Sequence, residues 1–256
     1  MKKNKIKILI TGSKGLIGSE FYTQLKYHNY DVKGIDTDFN ILKKKIFSFL
    51  NKFKPKIIIH CASHPGGLSF KDPIKNIKIN YLGSVKIIKW CAKNKCKFIF
   101  LSSSAVYGNR TKKIKLKEID ALQPETIYGI NKLATEKFIY SYSKYYKFDW
   151  LIFRLFATYG AGHKPNDFQG IVNVIISQIK HKNVLIIKGS LNRTRSLIYV
   201  KDAVKLMLNI LIKNNKKTIN IASEKFYTIK SLIKLIKEIY NKKFKVKVIN
   251  GTQGDP

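Results

Sequence analysis

The sequence predicts an α/β fold, a doubly wound parallel sheet with helices on both faces, and three observations carry that expectation. Apolar runs of strand length alternate with stretches of helical period through the first 160 residues. Three glycines spaced three apart stand between the first strand and the first helix. An apolar fraction of 45% over 256 residues is ample for a buried core. KIKILIT (Lys5 to Thr11) is the first strand, and GLIGSEFYTQLKYH then brings apolar residues round at helical spacing. DVKGID (Asp31 to Asp36) is the second strand, and KPKIIIHCAS (Lys54 to Ser63) has an apolar run long enough to be buried on both faces. A helix over Ile74 to Lys93 and the strand KFIFLSSS (Lys97 to Ser104) follow. The spacing predicts another helix from about Tyr128 to Lys144, then the strand WLIFRLFAT (Trp150 to Thr158). Strands alternating with helices make βαβ units and hence a parallel sheet.

Beyond Gly160 the texture changes. GAGHKPNDFQG is turn-rich, Ile171 to His181 is helical, NVLIIKGS is a strand, and SLIYVKDAVKLMLNILIK is a strand feeding a helix. TINIAS (Thr218 to Ser223) is a short strand, and an amphipathic helix, Ile229 to Tyr240, precedes a Lys-rich strand and the closing GTQGDP. The expected organisation is a nucleotide-binding domain of residues 1–160 plus 196–223, with a smaller, discontinuous lobe of residues 161–195 plus 224–256.

Fifty Lys+Arg against 15 Asp+Glu give a formal net charge of +35, which raises a nucleic-acid or anionic-membrane partner as a question. Only four of those cations are arginine: Arg110, Arg154, Arg193 and Arg195. Specific readers of nucleic acid lean on Arg, whose planar fork pairs bidentately with phosphate and guanine. Lysines spread from Lys2 to Lys247 among abundant Ile and Asn read instead as a solvated surface, adhesive to polyanions only at low salt. No apolar run reaches the roughly 18 to 20 residues that span a bilayer, and the opening MKKNKIKILITG enters a strand without a small-residue cleavage site. The expectation is a soluble, cytoplasmic chain with no membrane partner and no specific nucleic acid. Cys61, Cys91 and Cys96 include no CxxC pair, which argues for reduced thiols and against a disulfide framework or a metal site.

Thr11-Gly12-Ser13-Lys14-Gly15-Leu16-Ile17-Gly18 carries the glycine triplet. The first glycine permits a tight turn, the second lets a pyrophosphate approach the backbone, and the third lets helix pack on strand. The helix N-terminus then meets phosphate with unpaired N–H groups and the positive end of its dipole. Asp36 ends the second strand, 24 residues beyond Gly12, where a carboxylate accepts hydrogen bonds from the adenosine ribose and repels a 2′-phosphate. NAD is therefore expected over NADP. A P-loop is excluded because no GKS or GKT follows the glycines. Tyr128 and Lys132, four apart, share one helix face. A tyrosine near its ordinary pKa of roughly 10 is a poor base at neutral pH, so a neighbouring ammonium is needed to stabilise its phenolate. Ser102, Ser103 and Ser104 close an apolar strand, and ligands of a parallel sheet sit at the carboxyl ends of its strands.

In that order these features resemble the extended short-chain dehydrogenase/reductase family, specifically its nucleotide-sugar epimerases and dehydratases, over nearly the whole chain. TGSKGLIG resembles the family's TGxxGxIG cofactor loop, which implies cofactor contacts from Gly12, Ser13, Gly15, Leu16, Ile17 and Gly18. HCAS is similar to the segment running past the adenine and ribose, implying Cys61 and Ala62, and Asn80 matches a supporting asparagine of the next helix. SSSAVYG resembles the catalytic Ser/Thr segment: Ser102 falls beside the cofactor, and the catalytic hydroxyl falls on Ser103, with Ser104 the other choice and otherwise a substrate contact. PETIYGINK is similar to PxxxYGxxK. RTRSLIYVKDAV is similar to RDFIHVDDVA, which puts Arg195 on the nucleotide diphosphate. The resemblance implies a Rossmann-type fold and a homodimer formed by the helix bearing Tyr140, Tyr142, Tyr145 and Tyr146 together with the helix near Ile74 to Lys93. It also implies a mechanism in which Tyr128 takes the 4-hydroxyl proton of a UDP-sugar, Lys132 lowers the tyrosine pKa and binds the nicotinamide ribose, and Ser103 holds the reacting oxygen.

Related dehydratases carry Asp-Glu directly after the catalytic hydroxyl, and decarboxylases of UDP-glucuronate keep a glutamate there. Ser104-Ala105 cannot titrate, which favours epimerisation at C4 over elimination. Two departures touch the substrate. Ala157 stands where relatives present an asparagine to the diphosphate, and the chain stops at Gly254-Asp255-Pro256, inside a segment that continues in relatives, so the substrate lobe is expected to be incomplete. His64 and His163 border the predicted cleft without metal-ligand spacing, and Asp72 and Asp202 are expected to cap helices. Two other classes remain: a 4-keto-sugar reductase on the same scaffold, and a noncatalytic nucleotide- or polyanion-binding protein.

Overall fold

The computed structural model describes residues 5–37, 39, 41–109, 115–162, 170–181, 183–213 and 216–251. In chain order the first half runs β1 (Lys7–Thr11), α1 (Leu16–Tyr27), β2 (Asp31–Ile35), α2 (Lys45–Phe53), β3 (Ile57–His60) and the short α3 (Pro73–Asn76). A π-helical segment, Ile77–Gly83, leads into α4 (Ser84–Lys93), then β4 (Lys97–Ser103), α5 (Ile127–Tyr146) and β5 (Trp150–Leu155). The second half comprises β6 (Ala157–Tyr159), α6 (Ile171–His181), β7 (Val184–Lys188), β8 (Thr194–Tyr199), α7 (Val200–Lys213), β9 (Lys217–Ile221), β10 (Phe226–Thr228), α8 (Ile229–Tyr240) and β11 (Lys245–Ile249).

Six strands form one sheet in the order β2-β1-β3-β4-β5-β9, every pairing parallel. Alternation along each strand divides the side chains between two cores. Leu9, Ile58, Phe98, Phe100 and Ile152 point to one face, where Ile46 and Leu50 of α2, Ile87 and Ile88 of α4 and Ile139 of α5 cover them. Ile8, Ile10, Ile59, Ile99, Leu151 and Phe153 point to the other, under Phe21 and Leu25 of α1 and Val204 and Met207 of α7. The winding reverses between β1 and β3, which opens a crevice beyond their carboxyl ends. This is the doubly wound architecture the sequence predicts. A third core gathers Ile175 and Ile179 of α6, Leu185 and Ile187 of β7, Ile233 and Ile236 of α8, and Phe244. It lies over the parallel pair β7–β11, and Leu197 of β8, in the three-stranded sheet β10-β8-β6, packs against it.

Several elements differ from expectation. The strand expected over Trp150 to Thr158 breaks at Phe156: β5 stays in the main sheet while β6 pairs with β8 in the second. The run at Lys54 to Ser63 is strand only over Ile57–His60: Cys61 N–H still donates to Thr11 O, but Ala62 N–H goes to the Thr11 hydroxyl and the backbone ladder stops there. α2 was not foreseen, although Ile46, Leu50 and Phe53 lie at helical spacing, because four lysines and the lack of a capping side chain mask it. The expected helix near Ile74 starts at Pro73 under an Asp72 cap, whose carboxylate accepts from Lys75 N–H at 3.0 Å, and then widens into the π segment. The expected helices at Ile171–His181 and Ile229–Tyr240 form over those bounds.

Candidate active site

At the carboxyl end of β1 the chain turns at Gly12 with φ +69°, where a Cβ would lie 2.7 Å from Ala62 N, and a Cβ on Gly18 would lie 2.2 Å from Gly12 O. Gly15 faces the open side: a Cβ there would meet only Gly12 O, at 3.4 Å. No side chain caps α1 at Gly15, so its first N–H groups point into the crevice, with Leu16 and Ile17 packed behind them on the second core. Ser13 ties the loop to β2 by donating from N–H (3.1 Å) and Oγ (3.3 Å) to Ile35 O. Asp36 accepts from Lys14 N–H at 2.8 Å and Thr37 N–H at 2.9 Å, which fixes the carboxylate at the tip of β2 with lone pairs remaining. An open glycine face, an uncapped helix end and a fixed carboxylate fit the pyrophosphate and ribose of a dinucleotide.

Across the crevice a run of buried hydrogen bonds has one consistent direction. Ala62 N–H donates to Thr11 Oγ1 (3.2 Å), Thr11 bonds His60 Nδ1 (2.8 Å), His60 Nε2 bonds Ser84 Oγ (3.0 Å), and Ser84 donates to Asn80 O (2.8 Å). The backbone ends leave one arrangement: Thr11 donates to Nδ1, and a neutral His60 donates from Nε2. Burial, with Lys132 second, pulls the His60 pKa from 6.5 to about 3. The unfolded chain therefore takes up this proton below about 6.5 and the folded chain only near 3, so the contribution to stability is full above 6.5 and is lost as pH falls toward 3. In urea melts between about pH 7 and pH 4, His60→Gln is expected to lose stability less steeply than the parent.

Thr126 caps α5 by accepting from Gly129 N–H at 3.0 Å, which starts the helix so that Tyr128 and Lys132 face β4. Lys132 is buried and donates from Nζ to Leu101 O at 2.8 Å. Its Nζ lies 5.5 Å from the centroid of the Tyr128 ring. Burial pulls its pKa down to about 8, opposed by neighbouring Cys61 and Glu136. Burial pushes the Tyr128 phenol up, with the neighbouring Ser63 and Ser103 hydroxyls opposing it. Ser103 Oγ accepts from Ala105 N–H at 3.2 Å and so opens the 3-10 turn Ser104–Tyr107. The Ser102 hydroxyl is committed elsewhere, donating to Glu136 at 2.5 Å. Glu136 in turn pairs with Arg154 at 2.8 Å, and both are buried. Arg154 also donates to Tyr107 Oη (2.9 Å) and Glu118 O (3.0 Å).

The structure thus brings the glycine loop, Asp36, Cys61, Ala62, Asn80, Ser102, Ser103, Ser104, Tyr128 and Lys132 to the carboxyl ends of β1 to β4. Arg195 lies apart, on β8 opposite Tyr227 of β10, in the sheet that β6 joins as the chain leaves β5. Arg193 wraps the turn before β8, donating from Nε to Ser190 O at 3.1 Å. His163 and the segment 252–256 lie outside the described residues. Three participants were not foreseen: Ser63 beside Tyr128, and the buried pair Glu136 and Arg154. The rarity of arginine was a usable signal for the last. Among the described residues no cluster of His, Cys, Asp and Glu fits a metal, and no helix is long and apolar enough to cross a membrane.

The model of the NAD dependent epimerase/dehydratase family matches residues 8–222. A putative UDP-glucose 4-epimerase of Methanocaldococcus jannaschii is 28% identical over 249 residues, covering 90% of this chain and 81% of that protein. UDP-glucuronic acid decarboxylase 1 of Danio rerio is 24% identical over 275 residues, and the chain spans 66% of its length while matching over 100% of its own. The solved UDP-glucose 4-epimerase of Thermus thermophilus, in complex with NAD, superposes with a TM-score of 0.91 at 21% identity, covering 98% of this chain and 88% of that one. That of Thermotoga maritima, with UDP-glucose, gives 0.89 at 25% identity over 98% and 87%.

Proposed function

The chain belongs to the NAD dependent epimerase/dehydratase family, and on that premise we propose that it epimerises a nucleotide-diphosphate sugar at C4 through a transient 4-keto sugar. NAD, when bound, supplies the site that takes up the C4 hydride and returns it, so that it is regenerated each turnover. The glycine loop from Gly12 to Gly18 would hold its pyrophosphate and Asp36 its adenosine ribose, with Cys61, Ala62, Asn80 and Ser102 along the same side.

Tyr128 takes the 4-hydroxyl proton onto its phenol oxygen. Lys132, fixed on Leu101 O, stabilises that oxygen when it is charged. Ser103 accepts from Ala105 N–H, so its own proton is left to donate to the reacting oxygen. Arg195 and Ser104 are the proposed substrate contacts. The observation that carries this reading is the grouping of Tyr128, Lys132 and Ser103 beside Ser104 and Ala105, where nothing titrates. That equipment moves one proton and lacks the further acid and base that elimination requires. Proton NMR of the NAD-loaded protein with UDP-glucose, UDP-N-acetylglucosamine and UDP-glucuronate is expected to show the C4 epimer of one of them. No exchange at C4 in any of the three sinks the reading, and stoichiometric consumption of added reduced cofactor with a nucleotide 4-keto sugar as acceptor would make the chain a 4-keto-sugar reductase.

The division into a Rossmann-type domain (1–160 plus 196–223) and a substrate lobe (161–195 plus 224–256) is part of the proposal, supported by a third core whose buried residues all come from the lobe's two segments. We propose a cytoplasmic location, in keeping with three free cysteines, and a homodimer through α4 and α5. Apolar Ile74, Ile77, Leu82 and Tyr146 are exposed on these helices and the turns leading into them. Lys86, Lys89 and Lys93 flank the groove between α2, α4 and α5. Facing lysines repel and salt screens them, so light scattering is expected to show a larger dimer fraction at high salt than at low.

A further inference from the structure

Three buried asparagines beside the start of α5 make a chain of hydrogen bonds whose direction is fixed from one end. Asn80, in the π-helical segment Ile77–Gly83, accepts from His64 N–H at 2.6 Å on Oδ1 and donates from Nδ2 to His64 O at 3.0 Å. A backbone N–H only donates and a carbonyl only accepts, so this amide cannot turn over. Its Nδ2 also donates to Asn76 Oδ1 at 3.1 Å, and Asn131 Nδ2 donates to that same oxygen at 2.9 Å. Asn76 Oδ1 accepts twice, which leaves Asn76 Nδ2 as the donor toward His64 Nδ1, 3.2 Å away. A ring nitrogen that accepts carries no proton. His64, 7% exposed, is therefore held neutral with its hydrogen on Nε2.

The relay ends on the helix of Tyr128. Asn131 stands three residues past Tyr128 and next to Lys132, Thr135 donates to Asn80 O at 3.2 Å, and a Cβ on Gly66 would lie 3.3 Å from the Tyr128 ring. We propose that Asn76 is a further positioning residue: through a one-way amide relay that only a neutral His64 completes, it holds the opening turns of α5, and with them Tyr128 and Lys132, against the chain leaving β3. A proton on His64 Nδ1 would meet Asn76 Nδ2 with two donors and no acceptor. Turning the Asn76 amide over satisfies the imidazolium but sets Asn76 Nδ2 against Asn80 Nδ2, which the His64 backbone keeps in place. Either way a buried donor loses its partner, and that cost keeps the proton off. Burial and the Lys75 ammonium act in the same direction, holding the His64 pKa below its ordinary value, with Asp72 opposing. The relay acts by placing Tyr128 and Lys132, and its part in turnover rests on the proposed epimerase function.

The charged groups that act on the His64 ring are Lys75 and Asp72 of the α3 turn. The π segment presents the neutral Asn80, α5 presents the neutral Asn131 with the Tyr128 phenol past Gly66, and His60 on β3 is taken up by Thr11 and Ser84. In NAD-loaded protein labelled with 15N at its five histidines, the His64 resonances are those missing from His64→Gln. The parent is expected to carry the proton on Nε2 at pH 7 and to titrate below an exposed histidine. Asn76→Asp offers one carboxylate oxygen to Asn80 and Asn131 and the other to a His64 Nδ1–H, so the midpoint is expected to rise by about one to three units. Amide hydrogen exchange at pH 7 reads the positioning. Relative to β4 and β5, peptides covering Thr126 to Leu133 are expected to exchange about three- to tenfold faster in Asn76→Ala, which loses a buried hydrogen bond, and at the parent ratio in Asn76→Asp. A parent His64 with its proton on Nδ1, an Asp midpoint at the parent value, an Ala ratio equal to the parent's, or an Asp ratio that follows Ala overturns the proposal. These readouts need no substrate, so the two readings fail separately. A relay that passes in a protein inactive on every UDP-hexose keeps Asn76 in this role and removes the epimerase. In an active enzyme, kcat is expected to fall with acid at the His64 midpoint in the parent and to lack that limb in Asn76→Asp.

Discussion

Tyr128→Phe is expected to lower turnover about a thousandfold while NAD content and melting temperature stay at the parent level. General acid–base groups contribute roughly 10² to 10⁴ in rate, and here one oxygen must both receive and return the proton. Phe keeps the ring that packs on Gly66 and lies 5.5 Å from the Lys132 ammonium, so the packing survives. The loss is expected in kcat with little change in KM, since the missing interaction belongs to the transition state. A loss confined to kcat on the UDP-sugar that the parent epimerises would place the defect in proton transfer. A change in KM alone would place Tyr128 in binding and refute the assignment.

Glu136→Ala is expected to destabilise the fold by about 3 to 5 kcal/mol, read as a lower midpoint in urea melts. The carboxylate is fully buried, and its removal leaves Arg154, 2% exposed, without its counter-charge and Ser102 without its acceptor. An uncompensated buried ion is the costly outcome. Replacing both partners with apolar residues, Glu136→Leu with Arg154→Met, is expected to cost less than Glu136→Ala alone, which a double-mutant cycle measures. The pair is also a clamp. Glu136 lies one turn beyond Lys132 on α5, Ser102 is the penultimate residue of β4, and Arg154 belongs to β5, so one carboxylate fixes three elements.

What could be read from the sequence was local. The glycine loop, the Asp36 strand end and the YxxxK pair each fall within a few residues of one another or of an element boundary, where spacing translates directly into geometry. The partners of His60 are 49 residues before it and 24 after it, and Glu136 meets Arg154 across 18, so only the fold could join them. Ser63 was visible within HCAS but carried no signal of its own, because its meaning depends on Asn80 reaching back 17 residues. The break at Phe156 was hidden for a different reason: no Gly or Pro marks it, and an apolar run looks the same whether its strand stays in one sheet or changes to another.

The π-helical segment has an evolutionary consequence. It holds a residue more than an α-helix of the same rise, and each residue of helix turns the following faces by about 100°. Losing one residue between Ile77 and Gly83 would allow a better-bonded α-helix and at the same time swing Ser84 away from His60, or Asn80 away from His64. The more stable local form is therefore separated from the working one by a length change that substitution alone does not cross. Point mutation can therefore tune the hydroxyls and amides around the segment, while removing it takes a change of chain length.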